Sequence, residues 1–515
     1  MKGIQFYEPE FTPEDINNDF LKVCRPQWFN PIYNDYSDSN DMIPKTKYIV
    51  RNIDNVITED VEEDTEQYIK NFAQITVINV HTKKEQSRDS FIKFVPIIDP
   101  IFFSIRENKT YDWMLPCDFM HENINKVNNS NNKAYIDSFF SILGSKLVEG
   151  GRCPTFPLFY GTYSGIKDDY MFDITEEYSQ IRYNNNFQKN KKAMLFELHQ
   201  RECRESLSED DSISICDSIE LFENSNLISD DIQELDDVIK NSELFNDCIE
   251  PTNDEMDNEL DEIISIDNNY EFDDLLKKED TFKYLKLKNF PVQCVFLEKL
   301  EGTLESILDS QKHIDLDETE WLAYLFQIIF GLCVAQKQYN FTHNDLHCEN
   351  IMYTKTETEF IYYEFDKKIF KIPTYGKILK IIDFGRAIYN YNNLLYFSDD
   401  FDENGDAEGQ YSYTEGNSLK GLKHKPNPSF DLARLSSTIL TNFDNNTGIF
   451  KLLKGWLTDR YGYCLINEPD EFDIYIKIAR TIHNAVPKNQ LKKNIFKRFI
   501  INKNEIESTT YVYRY

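Results

Sequence analysis

Between Gly3 and Gly144 the chain has no glycine. A phosphate-cradling loop built from glycine backbone amides is therefore absent from the first quarter of the sequence. The ten cysteines form no CxxC pair and show no metal-ligand spacing, which excludes a zinc ribbon and argues for free thiols rather than a disulfide framework. The opening MKGIQFYEPEF lacks the apolar core of a signal peptide. The longest apolar stretch, near Tyr324–Ala335, is broken by Gln327 and reads as too short to span a bilayer. Positive charge is scarce: 56 Lys and Arg stand against 89 Asp and Glu, a net charge of −33. Nucleic acid and anionic membrane are disfavoured as partners, since both need a positive surface. Together these absences point to a soluble chain of a reducing, cytoplasmic compartment.

What is present is enough apolar sequence for a large core, 41% hydrophobic over 515 residues. The acidity is local. Arg201–Asp280 holds 28 acidic and five basic residues, a net −23, and the rest of the chain carries only −10. Residues 168–280 read as a disordered acidic insert between two strands of one sheet, because self-repulsion and sparse apolar content oppose packing and a long insert adds little closure entropy. Such an insert suits a basic partner, and Ser206, Ser208 and Ser212 lie among its acids as modification candidates. Strands are predicted at Ala73–Asn79, Ser90–Ile98, Phe156–Tyr160, Val292–Leu297 and Ile378–Ile382, and as a hairpin at Phe360–Phe365 and Lys368–Ile372. Helices are predicted over Ala134–Val148, closed by Gly150–Gly151, over Asp317–Gln338, and through most of the chain beyond Leu432. The basic run Lys488–Arg498 reads as a solvated helix face.

Three places carry chemistry: FIKF at Phe91–Phe94, FTHNDLHCENIM at Phe341–Met352 and KIIDFGRAI at Lys380–Ile388. Phosphoryl transfer from ATP needs a cation on the phosphates, a divalent metal, and a carboxylate to orient the attacking hydroxyl. Asp345 and Asn350 share one loop and can orient the hydroxyl and bind metal. Asp383 follows an apolar strand and can hold Mg2+ through oxygen. Gly385 is the expected point of a sharp turn. Cys333 and Cys348, near this loop, read as buried bystanders.

At these residues the sequence resembles the protein-kinase superfamily. HNDLHCEN matches H-x-D-L-x-x-x-N, and DFG stands intact. PTYGKILKIIDFGRAIY and PNPSFDLARL are similar to serine/threonine protein kinases inferred in large cytoplasmic DNA viruses. The resemblance covers about Ile75–Ile478, the insert aside, and implies an α+β, two-lobed fold with a small β-rich lobe and a large helical one. The division expected is an N-terminal extension over 1–60, the small lobe with its insert over 61–300, and the large lobe with a tail over 301–515. It further implies ATP and Mg2+ as cofactors, protein hydroxyls as acceptors, basic substrates among them, and a host cytoplasm or virion as the location. By the same resemblance Asp345 is the catalytic carboxylate that accepts or orients the hydroxyl proton, Lys93 the phosphate-holding lysine and Asp137 its helix partner. Leu297 backs the adenine pocket, Glu298 and Leu300 form the hinge, Asn350 and Asp383 hold metal, and Asp431 braces the catalytic loop.

Departures from the pattern keep two other readings open. Asn344 replaces the catalytic-loop arginine, and His347 stands where protein kinases commonly have lysine, where it could meet the γ-phosphate if protonated. No APE triplet lies between Asp383 and Asp431. His347 and the missing triplet suit a small-molecule kinase with an HxDLHxxN loop. The missing glycine loop suits a pseudokinase scaffold.

Overall fold

The computed structural model describes residues 4–16, 18–36, 42–56, 71–107, 115–117, 126–202, 281–311, 316–402, 405–411, 426–468 and 471–515. Its largest sheet is antiparallel throughout. Its strands run, edge to edge, Val23–Gln27, Phe159–Asp173, Thr281–Glu298, Glu85–Pro96, Phe72–Asn79 and Tyr48–Val56. A seventh strand, Phe196–Glu202, pairs with the first half of Thr281–Glu298.

Side-chain alternation gives this sheet two buried faces. Val95, Val295 and Leu297 point into the core that continues through the helical half of the chain. Ile92, Cys294 and Phe296 point into a second core that includes Val23, Trp28 and Val50. Lys93 lies on the same strand face as Val95, and that parity aims it at the helix Lys133–Glu149. Asn132 caps this helix by accepting from Ala134 N–H at 3.0 Å, and Gly151, in the left-handed region, follows its end. Its apolar stripe was expected on one face, yet nearly the whole helix is buried, because the sheet packs on one side and the helical half on the other.

Residues 168–202, assigned to the acidic insert, are ordered strand and helix: Phe159–Asp173, Tyr178–Ile181, Asn185–Lys192 and Phe196–Glu202. Their aromatic residues supply the packing that the acids further along lack. Tyr170 stacks on Phe290 at 5.5 Å, and Phe187 meets Phe196 at 4.9 Å. The remaining acidic residues, 203–280 with Ser206, Ser208 and Ser212, lie outside the described residues. They are bounded by Glu202 and Thr281, which are cross-strand partners. The stretch 1–60 likewise contributes two strands of the sheet, Val23–Gln27 and Tyr48–Val56.

Helix Glu318–Tyr339 begins at Asp317, whose carboxylate accepts from Thr319 N–H at 2.8 Å. By length and composition it could cross a membrane, contrary to the expectation from its broken apolar run. Most of it is buried in the core, so it serves as the central core helix. The interrupting Gln327 is itself a tie: its Oε1 accepts from Leu379 N–H at 3.0 Å and its Nε2 donates to Lys377 O at 3.3 Å. Those residues belong to the strand Lys377–Ile381, which pairs with Ile351–Lys355. Between the two strands stands the predicted hairpin, Phe360–Phe365 and Lys368–Pro373.

Beyond Leu432 the helices Phe430–Ile439, Gly448–Trp456 and Glu471–Thr481 give way to short turns of helix. Two small strands follow, Ile500–Ile501 and Val512–Arg514, and extend the hairpin sheet. The basic residues of the run before them, Lys488, Lys492, Lys493, Lys497 and Arg498, are all exposed, and Arg498 pairs with Glu318 at 3.3 Å.

Candidate active site

The catalytic-loop motif starts on buried backbone. Asp431 Oδ1 accepts from the N–H groups of His343 (3.0 Å) and Asn344 (3.1 Å). Burial pushes the Asp431 carboxyl up to about 6 while those amides pull the other way. His343 Nε2 donates to Ile382 O at 2.7 Å, because a carbonyl can only accept, and this leaves Nδ1 to accept from Asp345 N–H at 3.3 Å. The two motif segments are thus joined, and Ile382 N–H donating to Asn350 O at 3.1 Å joins them again. Asn344, in place of the usual arginine, donates its amide to Arg386 O at 2.9 Å and accepts from the Tyr411 hydroxyl. It works as a neutral link in the fold.

Asp345 has both carboxylate oxygens occupied. Tyr475 donates its hydroxyl to Oδ1 at 2.6 Å, and Arg386 Nη1 lies 3.3 Å from Oδ2. Burial alone would raise this carboxyl, but Arg386, with His347, Arg434 and Tyr475, outweighs it and holds the group at about 2. His347, placed among the catalytic residues as a potential cation, is neutral at ordinary pH. Burial takes its imidazole down to about 4, and its Nε2 accepts from Asn350 Nδ2 at 2.9 Å. The same Asn350 amide donates to Asp345 O at 2.9 Å. With its nitrogen so committed, the Asn350 carbonyl oxygen is the atom left to face a cation.

Lys93 Nζ lies 3.3 Å from Asp137 Oδ2 and 3.0 Å from Asp383 Oδ1. Burial works against the lysine's charge, yet the two carboxylates more than restore it. Asp383 is held well below the usual carboxylate range: Lys93, with Lys133, overcomes the opposing effect of burial. Asp137, buried at 1% exposure, is pushed up by burial against the pull of Lys93. The turn expected at Gly385 is displaced to Asp383, which has the left-handed φ of 58°. A short polar side chain tolerates that region better than most, and here Asp383 Oδ1 accepts from Gly385 N–H at 3.3 Å.

At the proposed hinge, Glu298 Oε2 accepts from Leu158 N–H and from Lys380 Nζ, both at 3.0 Å, and Leu300 and Leu297 are buried. A base there would be met by backbone, not by these side chains. Cys348 donates its thiol to Glu305 at 2.6 Å, and burial raises both it and Cys333, the chemistry of unreactive thiols. The connection 57–70, where phosphate-covering amides would fall, lies outside the described residues. Its sequence has no glycine and six acids.

Among the described residues no group of three or more His, Cys, Asp or Glu converges as a metal site. Asn350 and Asp383 would supply only two protein ligands. That set fits Mg2+, which commonly takes one or two carboxylates and completes its shell with water and substrate phosphate. Sequence reasoning missed Arg386 and Tyr475. The first lay in plain view beside DFG. The second is 130 positions from Asp345 and carries no local signal.

No family model matches the chain. Curated relatives do. Over 69 residues it is 42% identical to a serine/threonine-protein kinase inferred in Acanthamoeba polyphaga mimivirus, covering 12% of this chain and 17% of that protein. Over 127 residues it is 30% identical to a serine/threonine-protein kinase haspin homolog of Drosophila melanogaster, covering 24% and 22%. Over 194 residues it is 26% identical to the haspin kinase of Bos taurus, covering 35% and 23%. The chain therefore spans less than a quarter of the length of each of these relatives. A solved kinase domain overlaps it at a TM-score of 0.20 and 14% identity, over 40% of this chain and 73% of that one, a likeness too slight to bear on the fold. The chain is protein-kinase-like. The relatives it resembles include haspin kinases and a kinase inferred in a mimivirus.

Proposed function

We propose that this protein is an ATP-dependent serine/threonine protein kinase. One observation carries the reading: Lys93, Asp137 and Asp383, from three separate segments, meet within 3.3 Å, and Arg386, three residues past Asp383, reaches back to Asp345. These ion pairs involve a lysine, a carboxylate suited to metal and a carboxylate suited to orient an acceptor, the parts that phosphoryl transfer asks of a protein. Bound Mg2+ would neutralise charge on the phosphates, held by the Asn350 carbonyl oxygen and the Asp383 carboxylate. Lys93, positioned by Asp137, would grip the α- and β-phosphates of ATP. Asp345 would accept a hydrogen bond from a Ser or Thr hydroxyl, hold its oxygen in line with the γ-phosphorus, and take up its proton as the new P–O bond forms and ADP leaves. The haspin and mimivirus relatives, themselves named serine/threonine kinases, support a protein as acceptor.

The neutral His347 cannot supply the cation that a lysine gives at this position in many kinases. This favours keeping a small-molecule acceptor as the competing reading. The test is incubation with Mg2+, labelled ATP and mixed basic and acidic proteins, beside Asp345→Asn. Label on protein that falls by roughly 10²–10⁴-fold in the variant supports the proposal. ATP turnover only with a metabolite extract moves the acceptor to a small molecule. Partner binding without turnover leaves a pseudokinase scaffold.

A further inference from the structure

Tyr475 lies on the helix Glu471–Thr481, and its ring is buried at 7% exposure. The Arg434 guanidinium stands 4.6 Å from the ring centroid, that of Arg386 5.8 Å, and the Phe430 ring 6.1 Å. A ring so enclosed cannot swing, so its hydroxyl points in one direction, at Asp345 Oδ1 2.6 Å away. Arg386 Nη1 meets the other oxygen at 3.3 Å. One donor per oxygen removes the carboxylate's freedom to rotate about its terminal torsion, which is otherwise soft. A carboxylate offers about four acceptor positions, so two remain. The Asp345 side chain keeps 23% of its surface exposed, and an acceptor hydroxyl can reach it from that side.

We propose that Tyr475 is a positioning residue for phosphoryl transfer: with Arg386 it fixes the plane of the Asp345 carboxylate, so that the remaining acceptor positions face the incoming hydroxyl. The inference rests on the kinase reading of Asp345. It assigns a role to a helix that no motif marks, and it explains why a tyrosine hydroxyl is kept in an otherwise apolar and cationic pocket. A phenyl ring would fill the same space.

The test is Tyr475→Phe in the full chain, measured with Mg2+–ATP and whichever acceptor the parent protein labels. Loss of an orienting contact should lower kcat by about 10–100-fold. KM for ATP should change by less than about twofold, because Lys93, Asn350 and Asp383 are untouched. The hydroxyl favours the ionised carboxylate, so its removal should move the acid limb of the kcat/KM profile to higher pH. A 3-fluorotyrosine at 475 keeps the shape, donates more strongly, and should move that limb to lower pH, which covers the case in which Tyr475→Phe does not fold. An unchanged kcat with an unmoved acid limb in a folded Tyr475→Phe, in a parent that loses activity on Asp345→Asn, overturns this inference alone. A parent that transfers no phosphate overturns the kinase reading and this inference with it.

Discussion

Phe384 donates its backbone N–H to Asp137 Oδ1 across 2.7 Å, a bond between the second residue of DFG and the second turn of the helix Lys133–Glu149. The other oxygen of Asp137 faces Lys93. One short acid therefore joins strand, helix and the DFG turn. Asp137→Glu would restore the residue more usual at this position in kinases, but the site is closed, with Ile136 and Phe140 fully buried beside it. An added methylene there should destabilise the protein by about 1–3 kcal/mol. Asp137→Ala should cost a similar amount for a different reason, since it leaves the buried Phe384 amide without its acceptor. Denaturant unfolding measures both. A Glu variant as stable as the parent would mean that the helix can shift to make room.

Lys93 balances two carboxylates, so its removal should be felt beyond catalysis. Lys93→Met leaves Asp137 and Asp383 facing each other without a cation. Breaking a buried pair from one side commonly costs about 3 kcal/mol or more, and the partial exposure of Asp383 places this case at about 2–3 kcal/mol. Adding Asp137→Asn to Lys93→Met should recover part of that loss, because the repulsion is gone. Unfolding of the two variants decides it. Equal stability of the single and double variants would show that the carboxylates do not interact across the site.

The backbone strain at the DFG turn lies at Asp383, and this inverts a common expectation for DFG. A Cβ placed on Gly385 would meet Lys133 Cε at 3.2 Å, Lys133 Cγ at 3.3 Å and Asp383 Oδ1 at 3.4 Å, so the lysine side chain would have to give by a few tenths of an ångström. Gly385 has no left-handed φ, whereas Asp383 does, at 58°. Gly385→Ala should therefore change stability by less than about 1 kcal/mol. Asp383→Gly should relieve the strain and yet remove the acid that pairs with Lys93. A thermal melt of Gly385→Ala that falls by more than about 4 °C would contradict this placement of the strain.

Much of this architecture was legible because hydrophobic periodicity is a local signal. The helix around Phe139 and Phe140, the hairpin at Phe360–Pro373 and the strands flanking Lys93 all stand within a residue or a few of where their patterns put them, apart from strand ends that run on. Asp345 and Asn350 were legible as candidates because they share one short loop, and Asp383 because it follows an apolar strand. Two kinds of information were not. Residues 168–202 have the polar look of their acidic neighbours, and only long-range aromatic pairs such as Tyr170 with Phe290 reveal them as structure. Tyr475 sits on an amphipathic helix like many others. Its hydroxyl acquires meaning only when the fold brings it to Asp345. The charge state of His347 was likewise hidden, because burial, a property of the fold, sets it.

Asp431 offers the sharpest pH test. Its carboxyl stands at about 6 in the folded protein against an ordinary value of 3.8, because it is fully buried and its amide donors only partly offset the loss of water. A raised carboxyl means that the folded state binds the proton more tightly than the unfolded chain. The stability it contributes is complete below about pH 4 and is lost as pH rises to about 6, for a total on the order of 3 kcal/mol. Asp345 and Asp383 act with the opposite sign and at lower pH, so the raw stability curve mixes these effects. Comparison with Asp431→Asn separates them. The asparagine oxygen can still accept from His343 and Asn344, while the bond from His343 N–H to Oδ2 at 3.1 Å is lost, at about 1 kcal/mol. The difference in unfolding free energy, parent minus variant, should therefore be largest near pH 4 and shrink by up to about 3 kcal/mol by pH 7. Parallel curves across that interval would mean that Asp431 is ionised throughout, and that the two backbone amides hold its charge more firmly than burial opposes it.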